Sequence, residues 1–162
     1  MGITTKRSGP PVKFDADKAI RLIAGYVPGA IIRRTGQGID AHGNPFAPYT
    51  PRYRQTLGKM GEDTSEDLRL TGGLMNSVKV REKRITAAGV EVVIAPDTGT
   101  SPQVRAVKGR AKRTGQQGPP HNVLGYWLHH GTPHMRARPF MGLSPEQSAE
   151  LNRILARARL WG

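Results

Sequence analysis

The residues of this chain that could do chemistry are few and scattered. Three histidines fall close together in His129-His130-Gly131-Thr132-Pro133-His134. Imidazole is a common metal ligand. Adjacent histidines, however, point apart in most backbones, no carboxylate lies nearby, and Gly131 and Pro133 break the helical spacing that would align two ligands. The pattern favours one histidine packed or hydrogen-bonded and another in solvent. Thr71-Gly72-Gly73 is glycine-rich like a phosphate loop, but it lacks the Gly-Lys-Ser/Thr ending and a clear apolar strand before it. It reads better as the start of a short helix. Serine, histidine and aspartate are all present, yet no Gly-x-Ser-x-Gly elbow marks a nucleophile. The carboxylates Asp15, Asp17, Asp63, Glu66 and Asp67 stand in polar stretches that would not raise a pKa. These residues call for no catalysis, no metal and no cofactor.

Charge is the stronger signal. Lys and Arg number 25 against 12 Asp and Glu, a net charge of +13. Such a balance favours polyanions or acidic protein surfaces as neighbours. From Thr98 to Pro145 no acidic residue occurs, while Arg105, Lys108, Arg110, Lys112, Arg113, Arg136 and Arg138 are all basic. The first five fall in 98–118, where they could contact phosphates. That run holds no aromatic residue for base stacking. An arm that orders against an acidic protein and a merely solvated loop are the other readings.

The elements that must position these residues make a single α+β domain. The 162 residues are 36% hydrophobic, and the 20 glycines bring the apolar share near the roughly 45–50% of globular proteins. Cysteine is absent, which excludes disulfides and thiolate chemistry. No run approaches the roughly 18 apolar residues of a membrane helix, and the N-terminus lacks the apolar core of a signal peptide. These features lead us to expect a protein assembled in a host cytoplasm, with no membrane partner.

Residues 1–13 read as a flexible arm and 14–162 as the domain. Asp15 caps a helix whose apolar face is Ala16, Ala19, Ile20, Ile23 and Val27, with an end or kink at Pro28 and a resumption over 30–34. Residues 36–56 read as a loop and 57–67 as an exposed polar stretch. Thr71 opens a helical turn carrying Leu74, Met75 and Val78. Residues 77–81 and 90–94 alternate as two strands of an antiparallel hairpin. Residues 98–124 have no periodicity and read as an extended basic loop. The last helix is the best marked: Ser144 at the N-cap, Pro145 at N1 and Gln147 at N3 make a capping box.

Four blocks, in order over roughly residues 40–150, resemble the tailed-phage virion morphogenesis family, the tail-completion or neck group that includes Mu-like G proteins. Asp40-Ala41-His42-Gly43-Asn44-Pro45-Phe46-Ala47-Pro48-Tyr49 is similar to its D-x-x-G-x-P-[FW]-x-P loop. Leu70 to Val78 is similar to its L-x-T-G-x-L-x-x-S-[IV] block. Tyr126 to Thr132 resembles a Y-A-x-x-H-[QE]-x-G-T block with shortened spacing. Met135 to Ser144 resembles [MI]-P-A-R-P-F-L-G-L-S, with Arg136 where proline is common and Met141 where leucine is common.

The resemblance implies helices against a small antiparallel sheet. It implies a structural virion protein of the head–tail junction or tail end, without catalysis or cofactor. It implies a homo-oligomeric ring, with a hexamer and a dodecamer both open. The partners would be head connector (portal-side) proteins and tail terminator or tail tube proteins, with DNA passing through the ring. The motif residues Gly43, Pro45, Phe46, Thr71, Gly72, Leu74, Ser77, Pro139, Phe140 and Ser144 would be structural. Arg136 and Arg138 alternate on an extended segment and should share a face opposite Ala137. They join Arg105, Lys108, Arg110, Lys112 and Arg113 as interface candidates.

Overall fold

The computed structural model describes residues 14–62, 64–68, 72–86, 89–107 and 110–160; for 102, 104–107 and 110–114 it describes the backbone. The arm at 1–13 and Thr71 lie outside the described residues. The fold is α+β, with two two-stranded antiparallel sheets among five helices in the described residues.

Helix α1 (Ala16–Thr35) starts on Asp15, whose carboxylate accepts from the Lys18 N–H at 2.9 Å. It continues past Pro28 rather than ending there. A proline inside a helix costs about 3 kcal/mol. Val27, Ala30 and Ile31 are buried on either side of it. Burying a Val or Ile contributes about 1.5–3 kcal/mol each, enough to keep the helix whole.

Helix α2 (Pro51–Met60) occupies residues expected to be loop and exposed polar chain. Thr50 caps it by accepting from the Tyr53 N–H at 3.3 Å, Pro51 sits in its first turn, and Gly61 ends it with φ of 70°. Leu57 and Met60 bury its one apolar edge. Helix α3 (Gly73–Ser77) is a single short run whose Leu74, Met75 and Ser77 are buried. Ser77 belongs to this helix and not to the following strand, because its hydroxyl donates back to the Leu74 carbonyl at 2.6 Å.

Strands β1 (Lys79–Thr86) and β2 (Gly89–Ala95) form the expected antiparallel hairpin, in register from Lys79 opposite Ala95 to Thr86 opposite Gly89, with a bulge between Val80 and Glu82. Helix α1 packs on it, chiefly against β2. Strands β3 (Thr100–Val107) and β4 (Arg110–Pro120) form a second antiparallel ribbon. This corrects the extended loop expected over 98–124. Register shifts around Pro102, together with the glycines and basic residues, erase the alternation that would have revealed the strands. Helix α4 (His121–His130) follows directly and takes up the rest of that stretch.

Helix α5 (Pro145–Arg157) carries both halves of the capping box at Ser144 and Gln147. It returns to α1, where Lys18 Nζ donates to the Ala158 carbonyl at 2.6 Å and the Asp15 N–H to the Leu160 carbonyl at 2.8 Å. The core between α1, α3 and the segment before α5 gathers Val27, Ile31, Phe46, Leu68, Leu74, Met75, Val78 and Phe140, the last fully buried.

Candidate functional site

The chain from Arg136 to Gln147 divides into an inward and an outward part. Phe140 fills the core, and the groups around it are held by two arginines. Arg34, from the last turn of α1, is 4% exposed. Its guanidinium donates to the carbonyls of Phe140 at 2.5 Å and Gly142 at 2.8 Å, and to Gln147 Oε1 at 2.6 Å. Gln147 in turn donates to the Ala30 carbonyl at 2.7 Å, so the capping residue of α5 also ties that helix to α1. Burial pulls the Arg34 pKa down, and the charge of Asp40 works against that. The guanidinium stays charged, since arginine does not deprotonate in proteins.

Arg138 corrects the sequence expectation. It does not share a surface with Arg136: it is 3% exposed. Its Nε donates to the Ala47 carbonyl at 3.0 Å and its NH2 to the Pro48 carbonyl at 3.1 Å, and the guanidinium lies 4.6 Å over the Tyr49 ring. Alternation placed it on one face with Arg136, but the carbonyls of the 47–48 segment capture it. Burial lowers its pKa, opposed by Tyr49 and Glu66. Burial, and next the neighbouring Tyr53, pushes the Tyr49 hydroxyl up to about 12. Arg136 is exposed, and its side chain has no hydrogen bond or ion pair among the described residues.

The 40–46 turn docks onto the same seam. Asp40 accepts from the N–H groups of His42 and Asn44, both at 2.8 Å, and Gly43 takes φ of 88°. The Ala41 N–H donates to the Pro139 carbonyl at 2.6 Å, and Phe46 is buried. Pro45 is exposed, while Leu74, Ser77 and Ser144 are buried. Gly72 precedes α3 with φ of 68°. The Arg138 N–H donates to the Leu128 carbonyl at 2.7 Å, which brings in α4.

On the other side of Arg138 opens a cleft of about 1000 Å³. Its walls come from α2, α3, α4, the base of the β3–β4 ribbon and the 134–138 segment. Tyr53, Leu74, Leu124 and Leu128 give it apolar character; Arg136 and Arg138 give it positive charge, Arg54 is paired with Glu66 at 3.2 Å, and no carboxylate lines it among the described residues. On its wall, Ser101 Oγ lies 2.9 Å from His121 Nε2, and His121 Nδ1 lies 2.7 Å from Asp97 Oδ1. The sequence reading passed over all three. They share no local motif, and only the pairing of Thr100 with Pro120 brings Ser101 beside His121.

Of the remaining basic candidates, Arg105, Arg110, Lys112 and Arg113 lie on the ribbon, where Arg105 pairs with Lys112 and Val104 with Arg113. Lys108 lies outside the described residues. His129 packs edge-on to Phe140 with ring centroids 6.1 Å apart, and its Nδ1 accepts from the Met141 N–H at 3.4 Å. No three His, Asp or Glu side chains gather into a metal site among the described residues. No helix among them is long and apolar enough to cross a membrane. Comparison with family models, with curated proteins and with solved structures returned no match to this chain.

Proposed function

We propose that the chain is a structural protein of a tailed phage, a neck or tail-completion subunit that forms a homo-oligomeric ring joining head connector to tail. The observation that carries this reading is convergence. The four blocks of resemblance are far apart in sequence, yet all meet at Phe140. The 40–49 turn bonds to Pro139 and Arg138, the 72–78 segment supplies Leu74, Met75 and Val78 to its core, and α4 receives the Arg138 N–H. A set of motifs that jointly builds one core is what shared ancestry of a fold would leave behind, whereas chance matches would scatter.

The outer features suit assembly. The β3–β4 ribbon carries Arg105, Arg110, Lys112 and Arg113 in its sequence and no acidic residue, a composition that suits an acidic neighbour. Tyr126 and Trp127 are exposed side by side on α4. Deleting the gene in the producing phage should leave filled heads and finished tails unjoined, and supplying the chain in extract should restore joining. Normal infectious particles without the chain would end this reading.

A second reading has its own support: a basic two-stranded ribbon is a shape that enters the DNA major groove. It calls for DNA binding by the 98–118 stretch that weakens by several log units per log unit of salt if about six phosphates are engaged. Binding that is absent, or indifferent to salt, leaves the assembly reading alone.

A further inference from the structure

The hydrogen-bonded series Asp97–His121–Ser101 ends in a hydroxyl on the wall of a large cleft. We propose that Ser101 is an activated nucleophile, with His121 as its general base and Asp97 as the group that orients the imidazole, and that the cleft accepts carboxylic esters with an apolar acyl group. This inference is independent of the ring assembly proposed above.

Geometry comes first. A carboxylate only accepts hydrogen bonds, so the 2.7 Å contact places the imidazole proton on Nδ1, donating to Asp97. Nε2 is then the free acceptor, and the Ser101 hydroxyl donates to it across 2.9 Å. This is the tautomer and the order of partners that a serine nucleophile needs. Asp97 is kept ionised by its surroundings: the His121 hydrogen bond first, then the Gly99 N–H at 3.0 Å and Arg81 at 3.9 Å, hold its pKa below the usual carboxylate range. The His121 ring is buried and cannot swing into solvent, while Ser101 is only half-buried.

The surroundings leave room for this arrangement by dispensing with side chains. A Cβ on Gly73 would stand 1.8 Å from Ser101 Oγ, and one on Gly99 would stand 2.9 Å from Asp97 Oδ1. A merely structural latch between the β2–β3 connection and α4 would need only the Asp97–His121 bond. It would not need the hydroxyl to reach Nε2 through a gap that only glycine leaves. The cleft also has the right chemistry for an acyl chain, which Leu74, Leu124, Leu128 and Tyr53 would line.

The reaction balances with ester and water alone. Ser101 Oγ bonds to the carbonyl carbon as its proton passes to His121 Nε2. The tetrahedral intermediate breaks its bond to the alcohol oxygen, which leaves with the proton from Nε2. Water then attacks the acyl carbon, giving a proton to Nε2. The acid departs, and Ser101 regains its proton.

The test uses the purified full chain with a fluorophosphonate probe and with p-nitrophenyl butyrate. Intact-mass and peptide mass spectrometry should find one phosphonate per chain, on Ser101. Ester hydrolysis should fall by roughly 10²-fold or more in Ser101→Ala and in Asp97→Asn, the latter with KM nearly unchanged. Gly73→Ala should suppress labelling while the chain stays folded by circular dichroism, because Ser101 must rotate off His121. Folded wild-type chain that takes no phosphonate, or takes it elsewhere, overturns the proposal without any variant. So does ester hydrolysis that survives Ser101→Ala.

Discussion

Two places in this molecule use polar side chains to tie distant segments together, and they end differently. In the seam around Phe140, Arg34 and Arg138 spend their donors on interior carbonyls and on Gln147. Arg34, 4% exposed, lies inside this network, whereas Arg138, 3% exposed, also reaches the cleft wall. Along the cleft, the Asp97–His121–Ser101 series is open at one end. A closed network sets one conformation, since every buried group it leaves unpaired costs about 1–3 kcal/mol. An open one leaves chemistry available to whatever enters. Both arginines of the motif border the cleft, but Arg138 spends its donors on the Ala47 and Pro48 carbonyls while the Arg136 side chain is exposed.

Perturbing the seam should therefore cost stability, and perturbing the cleft should cost reactivity or assembly. The largest effect belongs to Phe140→Ala, which removes a fully buried ring and should destabilise by about 3–5 kcal/mol in urea denaturation. Arg138→Ala comes next, at about 2–4 kcal/mol, because the Ala47 and Pro48 carbonyls lose their donors. Arg136→Glu should stay within about 0.5 kcal/mol of wild type, as for most surface changes, and yet impair incorporation into particles. Equal stability losses at 136 and 138 would erase the distinction drawn here. Ser144→Ala should cost about 1 kcal/mol by opening the capping box.

The smallest effect concerns pH. Burial first, and then His130 and His42, hold the His129 pKa below the ordinary histidine value. The unfolded chain then takes up a proton that the folded chain resists. The contribution of His129 is complete above about pH 6.5, the unfolded value, and is lost as pH falls through the lower folded value. Urea midpoints between pH 7.5 and 5.5 should drop less in His129→Gln than in wild type. Parallel slopes would show that His129 is not the titrating group.

Local signals were the legible part of the sequence. The capping box at Ser144 and Gln147, the α1 cap at Asp15 and the β1–β2 hairpin are each written within a few residues, while Phe140 was marked through the family resemblance. Helix α2 was equally local: Thr50-Pro51 is a helix start, but the polar residues after it masked the signal. Arg138 was misplaced because alternation gives the face of a strand and not what the face meets. The β3–β4 ribbon and the Ser101–His121 contact depend on pairing across the chain, and no short-range pattern encodes that. The helix did not end at Pro28, where burial of Val27, Ala30 and Ile31 adds a tertiary term that local propensity does not contain.

The claim that organises this account is that the sealed seam serves the fold while the cleft and the basic ribbon face outward in a ring. Electron cryomicroscopy of the head–tail junction in particles carrying this chain tests it directly. We expect a closed ring of this fold between connector and tail, with Phe140 and Arg138 inside each subunit and the β3–β4 ribbon at a contact with a subunit, a partner or the DNA. A junction built without this chain, or a ring whose subunits meet through Arg138, would contradict it.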